Sequence, residues 1–410
     1  MSKVAKRGKA VRRLGLLRAT RRSRPSPAAG ARPVVGDAPP VQDRQAVQAT
    51  QGASAAQSAP SQVARPLPDV AAGLATPLAP ISKAAASMEM VPIGKDARVE
   101  ARDAMKRVLP RYARINRLHP GMTWGSIQRS LQQMGFTLWR PSIKEKRAVV
   151  TQTVNPELPK SAGGQVYFRD IHLDDFLVFR PMGESCTSKI ELLNQGTLVF
   201  QQKASALPAL ALAPPRGSTV IDACAAPGSK TSQLASLMQN DGIIYAFDRD
   251  RRRLDTLAQL MRQRGASCVE PRNSDFLHIS PSDRLYANVT HILLDPSCSS
   301  SGMTKDPITD PAEVAELAAN QRAIIWHAMR FPEVQRIAYS TCSVYEEENE
   351  RVVESVLASP EGAGFQLADC LPFWARRGRS LFPGAERCVR TSLEDQTIGF
   401  FVALFERKPL

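Results

Sequence analysis

The apolar residues change their spacing twice along the 410-residue chain, and the changes divide it into three. From 1 to about 87 there is no period at all; Ala, Pro, Arg, Ser and Gln dominate. Such a stretch cannot bury enough apolar surface to offset its chain entropy, so residues 1–87 are expected to form a disordered tail. Residues 88–205 have the pattern of a small α+β module. A short helix is predicted over Asp96–Val108, and the alternation of Tyr112–Asn116 predicts a strand. Trp124, Ile127, Leu131 and Met134 recur at helical spacing behind Thr123, a candidate cap. Phe136–Leu138 and Phe176–Phe179 read as further strands, and 155–164 as a loop.

From 206 onward, most plainly after Gly217, short apolar runs alternate with helical segments. Strands are predicted at 218–223, 243–247, 267–270, 290–294 and 336–340, with helices near 230–239, 250–264, 311–329 and 346–358. A last apolar strand, Phe400–Phe405, closes the domain. Strands without polar alternation, separated by helices, belong to a parallel sheet covered on both faces, which makes 206–410 an α/β domain of Rossmann-like form. Ligands bind such sheets outside the carboxyl ends of the strands, where strand order reverses. Every candidate residue below falls at such an end.

Charge alters this picture less than its total suggests. The chain carries +15, but residues 1–87 hold 14 Lys/Arg against 3 Asp/Glu, a net of +11. Ten of those basic residues lie in the first 24 positions, without an acid. This block reads as a nuclear or nucleolar address or an RNA-binding arm, with a mitochondrial transit peptide as the rival. The seven cysteines form no CxxC pair, which argues against a disulfide framework and against a structural metal site. No stretch approaches 18 uncharged apolar residues, so no membrane span is expected.

Candidate chemistry gathers at five strand ends. Cys224-Ala225-Ala226-Pro227-Gly228-Ser229-Lys230 joins the first strand of the domain to its helix. Gly228 allows close backbone approach, and the helix start offers free N–H groups. The spacing is neither that of a P-loop nor GxGxxG. Asp248, 26 residues after Asp222, ends the second strand, where an acid can accept both hydroxyls of a ribose. Asp275 ends the third, within reach of an adenine amino group, and Arg253 can steady the loop between. Together they fit an adenosine-bearing ligand without phosphate.

Two cysteines complete the set: Cys298 in Asp295-Pro296-Ser297-Cys298 and Cys342 in Ser340-Thr341-Cys342-Ser343. A pyrimidine C5 becomes nucleophilic only after a thiolate adds at C6, and that chemistry needs a cysteine beside an electrophile with an acid on the base edge. Asp295 can be that acid. On chemistry alone either cysteine can be the nucleophile. Cys224, Cys268 and Cys370 read instead as small buried hydrophobes.

Taken in order, Asp222–Thr231, Ala246–Asp248, Asp275-Phe276, Asp295–Ser299, Tyr339–Ser343 and Glu346–Glu350 resemble the Sun-domain family of RNA cytosine-5 methyltransferases. The resemblance runs from about Pro110 to the C-terminus. Ser297, Leu198–Gln201 and Phe382–Glu386 are most similar to the branch acting on large-subunit ribosomal RNA. It implies S-adenosyl-L-methionine as cofactor, held by residues 224–230 with Asp248, Arg253, Asp275 and Asp295. It implies Cys342 as nucleophile, Cys298 as the residue that releases product, and Asp295 as the contact to cytosine. RNA is the implied partner, chosen by the 110–205 module, Lys203 and other basic residues, and a monomer is expected. Two departures stand out: Ser300 replaces the usual Gly after Cys-Ser, and Gln202 stands where relatives often carry Asp. Two rival functions are a ribosome-assembly factor that binds RNA without catalysis, and a DNA cytosine methyltransferase using Cys298.

Overall fold

The computed structural model describes residues 109–140, 155, 165–181, 190–303 and 307–409. The tail 1–87, the helix read at Asp96–Val108 and all of the 155–164 loop except Asn155 lie outside the described residues.

The α+β module consists of β1 (Arg111–Ile115), α1 (Trp124–Gln133), β2 (Phe136–Leu138), β3 (Gln165–Arg169), β4 (Phe176–Phe179), α2 (Glu191–Asn194) and β5 (Leu198–Phe200). Its sheet runs β2-β3-β4-β1-β5, with only β2 and β3 parallel. Thr123 caps α1: its hydroxyl accepts Ser126 N–H at 3.1 Å, and Ser126 Oγ accepts Thr123 N–H in return. Side chains alternate across a strand. Ala113, Ile115, Leu177 and Phe179 therefore pack with Ile127 and Leu131 of α1. Tyr112, Phe176 and Val178 point the other way, into the core of the second sheet. Burial on both faces removes the polar alternation that usually betrays an antiparallel strand.

The second domain comprises α3 (Lys203–Leu212), β6 (Ser218–Asp222), α4 (Ser229–Met238), β7 (Gly242–Phe247), α5 (Arg251–Gln263), β8 (Val269–Arg272), β9 (Val289–Leu294), α6 (Pro311–Met329), β10 (Arg336–Thr341), α7 (Glu350–Leu357), β11 (Phe365–Leu367), β12 (Val389–Thr391) and β13 (Phe400–Arg407). The sheet order is β11-β13-β10-β9-β6-β7-β8, and β12 pairs beside β13. Strands β6 to β10 are mutually parallel, whereas β13 runs antiparallel to β10, β11 and β12. The chain winds outward from β6 through β7 to β8, then returns past β6 to β9. The reversal puts a crevice between the carboxyl ends of β6 and β9.

Most boundaries agree with the sequence reading to within one or two residues, and three of the differences have a physical reason. β8 starts and ends two residues later, running to Arg272, and includes Pro271; it is an edge strand bonded only to β7, where a missing N–H is tolerated. α7 starts at Glu350 rather than 346, because residues 346–349 form a turn beneath the two cysteines. α3 starts at Lys203 and packs on β10 and β13, so the domain begins before residue 206.

Lys203 requires a correction. Expected among the RNA-selecting residues, it is fully buried, with Nζ 2.8 Å from Asp170 Oδ2, 2.7 Å from His172 Nδ1 and over the Trp374 ring. The first turn of α3 lies between the two sheets, so its cation is neutralised inside the core and joins them. Burial alone raises the Asp170 carboxyl, but Lys203 and the Asn155 amide beside it hold it below the ordinary carboxylate range. Lys203→Ala leaves that carboxylate buried and unpaired. Urea unfolding should show a loss of about 3–5 kcal/mol; a loss below ~1 kcal/mol would mean that the pair does not hold the sheets together.

Candidate active site

The crevice opens into a cleft of about 840 Å3 whose wall is built from successive strand ends. Cys224 and Ala226 follow β6, Asp248 follows β7, Asp275 and Phe276 follow β8, Asp295 and Cys298 follow β9, and Cys342 follows β10.

Of the 224–230 turn, Cys224 and Ala226 line the cleft. The others shape the turn. The Ala226–Pro227 peptide is cis, and Gly228, with φ +103°, caps α4. A Cβ on Gly228 would meet Met261 Cε at 2.7 Å, so the close approach this glycine permits is to α5. Asp222, Ala225 and Ser229 lie behind it. Burial pushes the Asp222 carboxyl up to about 7, and its Oδ2 accepts the Thr231 hydroxyl at 2.8 Å, tying α4 to β6. Burial also pushes the Cys224 thiol up, leaving it unreactive.

Asp248 is buried and accepts backbone N–H from Asp250 at 2.9 Å and from Ala226 at 3.3 Å. Arg253 donates to Ala226 O at 2.6 Å and sits 3.6 Å from Asp248, so it does brace this loop. Asp275 spends Oδ1 on Leu277 N–H. A carboxylate offers about four acceptor sites, so both acids keep capacity toward the cleft. Acceptors at the ends of β7 and β8, with no phosphate-binding loop, suit a nucleoside carrying hydroxyls and an exocyclic amine, and the cleft is large enough for one. Lys230 is turned from the turn toward Asp295, which it meets at 2.6 Å; Ser340 Oγ donates to the other Asp295 oxygen at 2.7 Å.

The sulfurs of Cys298 and Cys342 are 3.1 Å apart, both half-buried at the cleft. The Cys298 thiol donates to Cys342, which holds the Cys342 thiol below its ordinary value against the effect of burial. The same hydrogen bond, then burial, keeps Cys298 protonated far above the usual range. The pair is therefore directional: Cys298 holds its proton toward Cys342, and Cys342 is the sulfur that ionises first.

Below this pair sits a set of residues whose roles the sequence did not disclose. Glu348 is fully buried and accepts Ser299 N–H at 2.9 Å. Gln321 donates to Glu348 at 2.9 Å and to Ser297 O at 3.1 Å, so both neighbours of Cys298 are fixed. Asn349 does the same for Cys342: it accepts the Thr341 hydroxyl at 2.6 Å and donates to Ser343 O at 3.0 Å. Glu350, paired with Arg390 at 2.7 Å, completes the run, as Arg390 also donates to Val344 O. The hydroxyls of Ser299, Ser301 and Ser343 lie 3.0–3.1 Å from one another. Gly302 N–H donates to Cys342 O at 2.8 Å, in a gap so narrow that a Cβ on Gly302 would lie 2.1 Å from Gly399 O. The acidic run 346–350 was visible only as part of the family pattern, since a buried Glu-Asn-Glu reads as an exposed helix start.

A parallel sheet of this winding, with β13 reversed at its side, is the Rossmann-like methyltransferase fold. A crystal structure described as a methyltransferase homolog protein from Pyrococcus horikoshii superimposes with a TM-score of 0.58 at 25% identity, over 76% of this chain and 90% of that one. The 16S rRNA methyltransferase RsmB/F profile matches residues 209–405. A 28S rRNA (cytosine-C(5))-methyltransferase of Mus musculus is 48% identical over 252 residues, 60% of this chain and 54% of that protein. The 26S rRNA (cytosine-C(5))-methyltransferase nsun-5 of Caenorhabditis elegans is 35% identical over 329 residues, 77% of this chain and 71% of that one. The chain belongs to the RsmB/F family. It spans about half the length of the mouse relative and 44% of a 25S rRNA (cytosine-C(5))-methyltransferase of Arabidopsis thaliana.

The hydrogen bond between the sulfurs has a measurable consequence. Alkylation of Cys342 by iodoacetamide, followed by peptide mass spectrometry, should titrate with a midpoint below the ~8.5 of an ordinary cysteine. In Cys298→Ala the donor is gone and the midpoint should rise by about one pH unit or more. An unchanged profile would show that Cys298 does not polarise Cys342.

Proposed function

We propose that the protein transfers a methyl group to C5 of cytosine in RNA, with Cys342 as nucleophile. The observation that carries this reading is the directional sulfur pair at 3.1 Å on the wall of a nucleoside-sized cleft. The names of the relatives in mouse, nematode and Arabidopsis support large-subunit ribosomal RNA as the substrate. S-adenosyl-L-methionine supplies, when bound, a methyl carbon on a sulfonium, the electrophile that an activated C5 can take. The 224–230 turn, Asp248, Arg253, Asp275 and Asp295 are the residues that would hold it.

The Cys342 thiolate adds to C6, and the electron pair of the C5=C6 bond shifts into the ring, making C5 nucleophilic as N3 gains a proton. Asp295, held by Lys230 and Ser340, accepts from the base edge. Once Cys342 is bonded to carbon it carries no charge to retain the Cys298 proton. Cys298 then loses that proton to water and, as a thiolate, accepts the proton from C5. The C5–H pair re-forms the double bond, the C6–sulfur bond breaks with its electrons returning to Cys342, and N3 gives the proton it had gained back to water. The target base must be splayed from its stack to enter the cleft.

The basic segment 1–24 and the ribosomal substrate support a nuclear, nucleolar site of action, with the mitochondrion as rival. A fluorescent fusion of residues 1–36 is expected in nucleoli; mitochondrial signal would transfer the substrate to the organelle's ribosome.

Purified protein, tritiated cofactor and ribosomal RNA provide the main test. Cys342→Ala should abolish transfer, and Cys298→Ala should accumulate a protein–RNA complex that survives denaturing electrophoresis. The reverse pattern would make Cys298 the nucleophile, and tight RNA binding without transfer by the unmodified chain would favour an assembly role. Bisulfite sequencing with and without the protein locates the target, expected in large-subunit ribosomal RNA.

A further inference from the structure

Ser300 has a strained backbone whose side chain ends at the reactive sulfur. Its φ is +56°, in the left-handed region that a residue with a Cβ rarely adopts. Its hydroxyl lies 3.6 Å from Cys342 Sγ, and the residue lines the cleft beside both cysteines. The neighbouring serines do not share this arrangement. Ser299 and Ser301 turn their hydroxyls to each other and to Ser343, lacing the loops together. Ser300 alone of the three faces sulfur. Glycine would relieve the backbone there but would bring no hydroxyl.

We infer that Ser300 is a further catalytic residue, whose hydroxyl donates a second hydrogen bond to the Cys342 thiolate. The inference rests on Cys342 being the nucleophile. The two donors act at different stages. Cys298 serves the free thiolate, but it must give up its own proton before it can accept the one from C5. From the loss of its own proton until it has taken the one from C5, Cys298 has no hydrogen to donate. Ser300 keeps its hydrogen throughout, so a donor is already in place when the C6–sulfur bond breaks and Cys342 takes back the electron pair. Proton count is unaffected, because Ser300 donates a hydrogen bond and transfers no proton. With glycine here the departing sulfur would lose this donor and rely on Cys298. This chain keeps a strained serine where a donor is of use.

Two substitutions at the same position separate the hydroxyl from the backbone. Ser300→Ala removes the donor and keeps the strained φ; Ser300→Gly removes the donor and relieves the strain. With full-length protein, free of RNA and cofactor, the pH profile of Cys342 alkylation is followed by peptide mass spectrometry. Both variants should move the midpoint upward by similar amounts, about half to one pH unit, a three- to tenfold slower reaction at neutral pH. In transfer assays both should lengthen the life of the covalent RNA complex. Unmoved midpoints in both variants would overturn the inference. So would a shift in Ala alone, because the backbone and not the hydroxyl would then be responsible. Transfer by the unmodified chain, and its loss in Cys342→Ala, test the proposed function separately, so either idea can fail without the other.

Discussion

Adjacent parallel strands end about 4.8 Å apart, which brings the residues that follow them close but does not make them touch. β9 and β10 are such neighbours, and the loops leaving them carry Cys298 and Cys342. What closes the remaining distance is a shared set of buried hydrogen bonds. Glu348 and Gln321 fix the backbone on both sides of Cys298, Asn349 fixes it on both sides of Cys342, and the Gly302–Cys342 backbone bond joins the two loops directly. Each of these groups is buried, so breaking one strands a polar partner away from water at about 1–3 kcal/mol. The sulfurs meet because the loops beneath them cannot separate.

That constraint sets the chemistry. Of two thiols at 3.1 Å, the one that accepts the hydrogen bond ionises first, and the surroundings decide which sulfur that is. Cys342 has the Ser300 hydroxyl and the Lys230 cation nearby, whereas Cys298 is deeper and feels the Glu348 carboxylate. Lys230 in turn neutralises Asp295, which keeps a carboxylate from lying uncompensated beside a thiolate. The acids toward β7 and β8 sit on the other side of the switch point, where the proposed cationic cofactor would be accommodated. One cleft thus has two electrostatic halves, each set by the loop leaving a different strand.

The sheet was legible because its strands are buried on both faces and so read as unbroken apolar runs, His291–Leu294 and Ile337–Tyr339 among them. α6 was found residue for residue, bounded by Asp310 as cap and the end of its apolar stripe. β3, β5, β11 and β12 were missed, although Gly163-Gly164 and Gly196 precede the first two: apolar runs of about three residues are too short for their period to show. Lys203 was misplaced for a general reason, since a lysine is normally solvated and nothing local announces that Asp170, 33 positions earlier, will meet it inside the core. The cysteines were visible as a pair at strand ends. Which one is the nucleophile followed only from the family likeness, because the direction of their hydrogen bond depends on Glu348, Lys230 and Ser300, which converge in space and not in sequence.

The most direct test is to identify the atom that bonds to RNA. RNA carrying 5-fluorocytosine at the target position lacks the C5 proton that release requires, so the adduct formed in the presence of cofactor should persist through digestion. Mass spectrometry of the linked peptide is predicted to find the nucleotide on Cys342, with Cys298 unmodified. A nucleotide on Cys298, or no adduct from protein that methylates ordinary RNA, would contradict the account.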